Sequence, residues 1–216
     1  YVYALSRRAF AALPGDKAAK RTAQVALANR VIETLRYAGE SRKAVLDEDT
    51  SDRLLIRMLN QIREEKITAA TPVADYLAKP DQSLSVQVRA YMAKAALSPG
   101  AGREIVSAIQ TSDNVLLKCN LLRILSELEG AEEYFAILSK QQDVTGSIAR
   151  FEIASRSGGK KAAKALAEML KPGHPIVIDY AIFKMQKDIA AGDREMDFYV
   201  GPMMQYVRSA DIDSRR

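Results

Sequence analysis

The chain has 216 residues, of which 48% are hydrophobic and 27% charged, with 11 Gly and 7 Pro; this excludes a disordered, collagen-like or low-complexity protein and leaves room for one or two domains with a buried core. One Cys and one His exclude an internal disulfide framework and any zinc site built on two thiolates or several imidazoles, so no metal and no cofactor is expected. The net charge of +5 is unevenly spread: residues 1–46 hold nine Lys/Arg against three acids, a net +6, so the remaining residues sum to −1.

The chain opens on Tyr1 rather than Met, which reads as a processed or trimmed start. Tyr1-Val2-Tyr3 is followed at once by Arg7 and Arg8, the order of aromatics and cations found at the cytoplasmic end of a membrane span. An ordinary amphipathic first helix is the other reading. With Lys17, Lys20 and Arg21, these arginines form a membrane-proximal basic set able to lie on anionic lipid. No apolar run approaches the roughly 18 residues a span needs and no signal sequence is present. The expected location is cytoplasmic, at the inner face of a membrane if the tether reading holds.

Strand signals are nearly absent and helix signals run throughout. A long helix is expected over 16–38, capped by Asp16, with Val25, Ala28, Ile32 and Leu35 on one face and Gly39 ending it. Asp47 to Ser51 is an acidic capping stretch before Leu54, Leu55, Met58, Leu59 and Ile62. Thr71-Pro72 carries the cap and first-turn proline of a short helix that turns Val73, Tyr76 and Leu77 inward. The turn Pro80 to Ser83 then leads to a longer helix over Ser85–Ala96.

From there the chain is periodic. Helix-ending glycines fall at Gly100, Gly130, Gly159 and Gly192, spaced by 30, 29 and 33 residues. Each is followed by a short helix, a polar turn and a longer helix. The short helices carry Ile105/Val106/Ile109, Phe135/Leu138 and Leu166/Leu170. The turns are Ser112-Asp113-Asn114, Gln142-Asp143-Val144-Thr145 and Pro172-Gly173-His174-Pro175. The longer helices are expected to bury Val115/Cys119/Leu122/Leu125, Ile148/Phe151/Ala154 and Ile178/Ile182/Met185/Ile189. A helix–turn–helix period near 30 is the mark of an α-solenoid, in which each hairpin buries too little alone and stacking builds a continuous core.

The stretch Val88-Arg89-Ala90-Tyr91-Met92-Ala93-Lys94-Ala95-Ala96-Leu97 resembles the second helix of a bacterial HEAT-like (armadillo-type) repeat, and the turn before it also fits. The match covers one repeat; Val115 to Lys118 and Ile148 to Arg150 are partial echoes. The resemblance implies an all-α, right-handed solenoid, with an N-terminal helical section over 1–66 and about four repeats over 67–216. It implies a protein-binding scaffold working through a concave face lined by the second helices, where Arg89, Lys118, Arg123, Arg150 and Lys184 are the candidate contact residues. Other HEAT-like proteins act on DNA as repair glycosylases, and others as lyases on a tetrapyrrole. Nucleic-acid binding is therefore the alternative, opposed by the neutral repeat region and the absence of Trp.

No motif for a reaction is present: no Walker A, no Gly-x-Gly-x-x-Gly, no nucleophile elbow, no His-Glu-x-x-His. A non-enzymatic chain is expected. His174 is placed at a cap or turn and Cys119 as a buried, inert thiol. Glu64-Glu65, Glu132-Glu133 and Asp211 with Asp213 read as solvated surface charge. Two loops put glycine and a cation at a helix start, Gly102-Arg103 and Gly159 with Lys160 and Lys161, and are candidate anion sites. The turn between them, Glu129 to Glu133, is acidic, which breaks any continuous positive track.

Overall fold

The structure, a computed structural model, describes residues 48–171, 174–192 and 197–209 and, within the first long predicted helix, Thr22, Ala26, Asn29, Arg30, Ile32 and Glu33, all of which are helical. The described residues form helices and no strands: α1 (Glu48–Glu64), a 3-10 turn (Thr68–Ala70), α2 (Thr71–Leu77), α3 (Leu84–Leu97), α4 (Ala101–Thr111), α5 (Val115–Leu125), α6 (Ala131–Leu138), α7 (Val144–Ser155), α8 (Gly159–Leu170), α9 (Pro175–Ala190) and α10 (Asp197–Ser209). The chain divides into two compact units between Ala101 and Gly102.

In the first unit α3 packs on α1 and α2. Alanines make this possible: Ala90 and Ala93 of α3 are fully buried against Leu55, Leu59 and Ile62 of α1 and Val73 and Leu77 of α2. Tyr76 is only half-buried at the edge of this core. Helix α1 ends in a Schellman motif: the Ile67 N–H reaches the Ile62 carbonyl at 3.0 Å and the Lys66 N–H the Arg63 carbonyl at 3.2 Å. The left-handed residue of that motif is Lys66, at φ 48°, where glycine is usual.

Thr71 is not the cap of α2. The 3-10 turn runs directly into the helix, so Ala70 stands at the cap position and Thr71 is already helical, its hydroxyl donating to the Thr68 carbonyl at 2.7 Å. Pro72 still occupies the first turn, where its missing N–H is harmless.

In the second unit α6 and α8 both pack on α7, α10 packs on α8, and α5, α7 and α9 touch one another. The expected short-helix residues Ile105, Ile109, Phe135, Leu138, Leu166 and Leu170 are all buried. Gly130 at φ 70° and Gly192 at φ 76° take the left-handed backbone their helix junctions need. Gly159, at φ 55°, opens α8 rather than ending α7. Within the expected turn at Gln142–Thr145, the helix begins already at Val144.

The long helices bury most of the predicted residues on α5 (Cys119, Leu122, Leu125) and α7 (Ile148, Phe151), whereas α9 turns a different face inward. On α5 the buried residues include Leu117, Cys119, Leu121 and Leu122, while Val115 is 39% exposed. On α9 Val177, Tyr180 and Ala181 are buried, and Ile182 and Ile189 face outward. The reason is tertiary: α7 and α10 meet α9 along Tyr180 and Asp188, and α5 meets it along Ile176, Asp179 and Phe183, which leaves Ile182 and Ile189 outside these contacts.

Candidate functional site

The site region is the seam where the long helices of the second unit meet, because four of the five predicted contact cations lie there. Its helices are positioned by their caps. Asn114 Oδ1 accepts the Leu117 N–H at 3.1 Å and starts α5; Asp143 Oδ1 accepts the Gly146 N–H at 3.0 Å and starts α7. His174 caps α9, its Nδ1 accepting the Ile176 N–H at 3.3 Å, with Pro175 in the first turn. The expected cap role of His174 is what the structure shows.

Three of the five cations, Lys118, Arg123 and Lys184, pair with carboxylates of the chain, and Arg89 and Arg150 contact neutral groups. On α3 of the first unit, Arg89 is half-buried and its Nη1 lies 3.4 Å from the Met92 sulfur. Lys118 stands 3.9 Å from the Asp143 carboxylate. Arg123 donates through Nη2 to Asp179 Oδ2 at 2.5 Å and to the Asp179 carbonyl at 3.3 Å, and its guanidinium lies 4.9 Å from the centre of the Phe183 ring. Arg150 is the one exposed member. Its Nη1 donates to the Ser139 and Gln141 carbonyls at 2.8 and 3.0 Å and so closes the C-terminal end of α6, while Nη2 reaches the Ser147 hydroxyl at 3.1 Å. Lys184 pairs with Asp188 at 2.8 Å. These contacts tie α5 to α9, and α7 to the end of α6. The more exposed pairs, Lys118–Asp143 and Arg123–Asp179, contribute little each, about 0.2–1 kcal/mol, so their main effect is to fix register.

The residues that sequence reasoning missed are the acids and tyrosines facing those cations. Glu152 on α7 is 2% exposed, and its Oε1 accepts the hydroxyl of the fully buried Tyr180 at 2.9 Å. Asp188 Oδ2 accepts the Tyr199 hydroxyl at 2.5 Å, which joins α9 to α10. The Tyr199 ring meets Phe151 of α7 edge-on, at 6.2 Å between centroids. Burial pushes the Glu152 carboxyl up, against the pull of Lys184 and the Tyr180 hydrogen bond. Burial likewise pushes the Tyr180 phenol well up, with Glu152 acting in the same direction. The only available signal was a glutamate on an otherwise apolar helix face next to Phe151; helical spacing carries no information about its partner on α9.

Cys119 is buried, its Sγ 4.0 Å from the Ile176 carbonyl, and burial raises its thiol to about 11. It is therefore a protonated thiol at neutral pH. Among the described residues no cluster of His, Cys, Asp and Glu could hold a metal ion. Glu65 accepts from Gln61 at 2.7 Å and Glu132 pairs with Arg156, so these acids sit in ordinary surface contacts; Asp211 and Asp213 lie outside the described residues.

The two glycine loops do not form matching anion cradles. At the first, the Ser98 carbonyl and hydroxyl take the Ala101 and Gly100 N–H groups, and the Tyr134 ring covers Gly102 so closely that a Cβ would lie 2.7 Å from its hydroxyl. Arg103 points to solvent. At the second, Gly158 caps α8 without a side chain, and Lys160 and Lys161 are exposed. The basic set Arg7, Arg8, Lys17, Lys20 and Arg21 lies outside the described residues. No described helix is long and apolar enough to cross a membrane. Comparison with family models, with curated proteins and with solved structures finds no match to this chain.

Proposed function

We propose that the chain is a non-enzymatic protein–protein interaction scaffold, built from HEAT-like helical repeats wound as a solenoid. Two features support the repeat reading. The helices follow one another in pairs on the 30-residue frame, the first shorter than the second in α2/α3, α6/α7 and α8/α9, and α5, α7 and α9, the second helices of that frame, touch one another. The contact of α9 with α5 skips one repeat and so departs from strict nearest-neighbour stacking.

The observation that carries the binding role is the apolar surface left uncovered at α9 and α10. Ile189 is 57% exposed, and Ile182, Val200, Met204 and Val207 are also exposed. On α10 the three residues follow the i, i+4, i+7 spacing of one helix face. Apolar stripes of this kind serve as contact surfaces for other proteins. This favours these apolar faces as the binding surface over Lys118, Arg123 and Lys184, which pair with carboxylates of the same chain.

The test is affinity capture from the source-cell lysate at low and high salt, with mass spectrometry, using wild type and an Ile189→Asp/Val207→Asp variant. A salt-resistant protein partner that the variant loses, with its thermal melt unchanged, is the expected result. A partner retained by the variant removes the assignment of the surface. Nucleic acid or anionic lipid recovered at low salt and lost at high salt refutes the scaffold reading and favours the basic N-terminal segment.

A further inference from the structure

We propose that Glu152 is a proton-operated latch: the seam between α7, α9 and α10 closes tightly with a proton on the Glu152 carboxyl and loosens when that carboxyl ionises. The argument begins with a charge count. Lys184 pairs with Asp188, while Glu152, 2% exposed, has the Tyr180 hydroxyl as its partner and no ion pair among the described residues. Asp188 holds that ammonium at 2.8 Å and also takes the Tyr199 hydroxyl at 2.5 Å. Glu152 takes the Tyr180 hydroxyl and is the more buried of the two acids, so with both ionised the seam holds an uncompensated negative charge where water does not reach it. One proton removes that charge, and Glu152 is where it costs least to place it.

The surrounding helices offer little other compensation. From α9 the facing groups are Tyr180, Lys184 and Asp188, and from α10 Tyr199. The α5 side contributes Cys119 and Ser126, both beside Tyr180. Arg156, one turn beyond Glu152 at the C-terminal end of α7, pulls towards the ionised form but is itself paired with Glu132 of α6. The buried face of α8 is apolar: Ala162, Leu166, Met169 and Leu170.

The direction of the pH effect follows. The folded carboxyl binds its proton more tightly than the unfolded one, so the folded seam is favoured in acid. That advantage declines as pH rises from the ordinary carboxylate value of 4.5 towards the raised folded value, and no further change follows above it.

Two readouts on the full chain test this. Infrared difference spectra across a pH titration report protonated carboxyl directly. A band that persists above the ordinary carboxylate value of 4.5 and is missing in Glu152→Gln is expected. Hydrogen exchange of α9 and α10 amides, corrected for intrinsic rate, should speed up about tenfold in wild type between mildly acid and mildly alkaline pH and stay constant in Glu152→Gln. Equal exchange profiles in the two proteins, or a wild-type band that titrates at the ordinary carboxylate value, overturn the proposal. Lys184→Met provides a separate check should Glu152→Gln fail to fold. Losing the neighbouring ammonium must move the band's midpoint upward, and an unmoved midpoint refutes the charge count.

Discussion

Replacing Gly146 by Ala should destabilise the second unit although alanine is the better helix former. Gly146 lies in the first turn of α7, where the chain comes back against the end of α6. A Cβ there would stand 2.7 Å from the carbonyl carbon of Gln141, closer still to its oxygen, and 3.2 Å from Arg150 Nη1. Real Cβ atoms essentially never approach within 3.0 Å, and the obstacle is backbone, so the Gln141 peptide has to move. That peptide is held: its carbonyl accepts Arg150 Nη1 at 3.0 Å, and the Gly146 N–H is tied to Asp143 Oδ1 at 3.0 Å. Helix propensity returns about 0.5–1 kcal/mol to Ala. Against this stand about 1–3 kcal/mol of overpacking and about 1 kcal/mol for a strained cap and a weakened Arg150 contact. The expected net loss is about 2 kcal/mol, a fall in Tm of roughly 8–12 °C for a unit of this size. Circular dichroism melts, with urea titration for the free energy, measure it. A Gly146→Ala variant that melts within about 2 °C of wild type, or above it, would refute the reasoning that backbone contact outweighs propensity here.

Two further outcomes follow from local geometry. Lys66→Gly should stabilise the first unit by about 0.5–1 kcal/mol, since Lys66 holds the left-handed position of a Schellman motif; the urea midpoint measures it, and an unchanged or lowered midpoint contradicts the cap assignment. Cys119, with its thiol raised to about 11 by burial, should resist a thiol reagent in the native protein at pH 8 and react fully in denaturant; rapid native labelling would show that the α5 face is open.

Much of the local structure was legible in the residues. Ser83, Asn114, Asp143 and His174 lie in the turns where the sequence predicts them, and each caps the helix that follows. Their short polar groups satisfy first-turn N–H groups with no help from distant parts of the chain. The short helices were legible too, because Ile105/Ile109, Phe135/Leu138 and Leu166/Leu170 each form the dominant apolar stripe of their helix.

The candidate site was hardly legible, and the reason is physical. Helical periodicity defines a face but not the neighbours that cover it. On α9 the stripe Ile178/Ile182/Met185/Ile189 is the more apolar one. The neighbouring helices nevertheless chose the side where Tyr180 meets Glu152, Lys184 meets Asp188 and Asp188 meets Tyr199. Those are pairings between helices, or between residues brought into a common seam by them. The same holds for the cations: a surface arginine and an Arg123 clamped to Asp179, 56 residues away, are the same letter in the chain. By itself the sequence determined the helical class and the caps, both set by interactions within a few residues. Tertiary packing decided which faces are buried and which charges are spent, because burial free energy depends on the partner surface and not on the stripe alone.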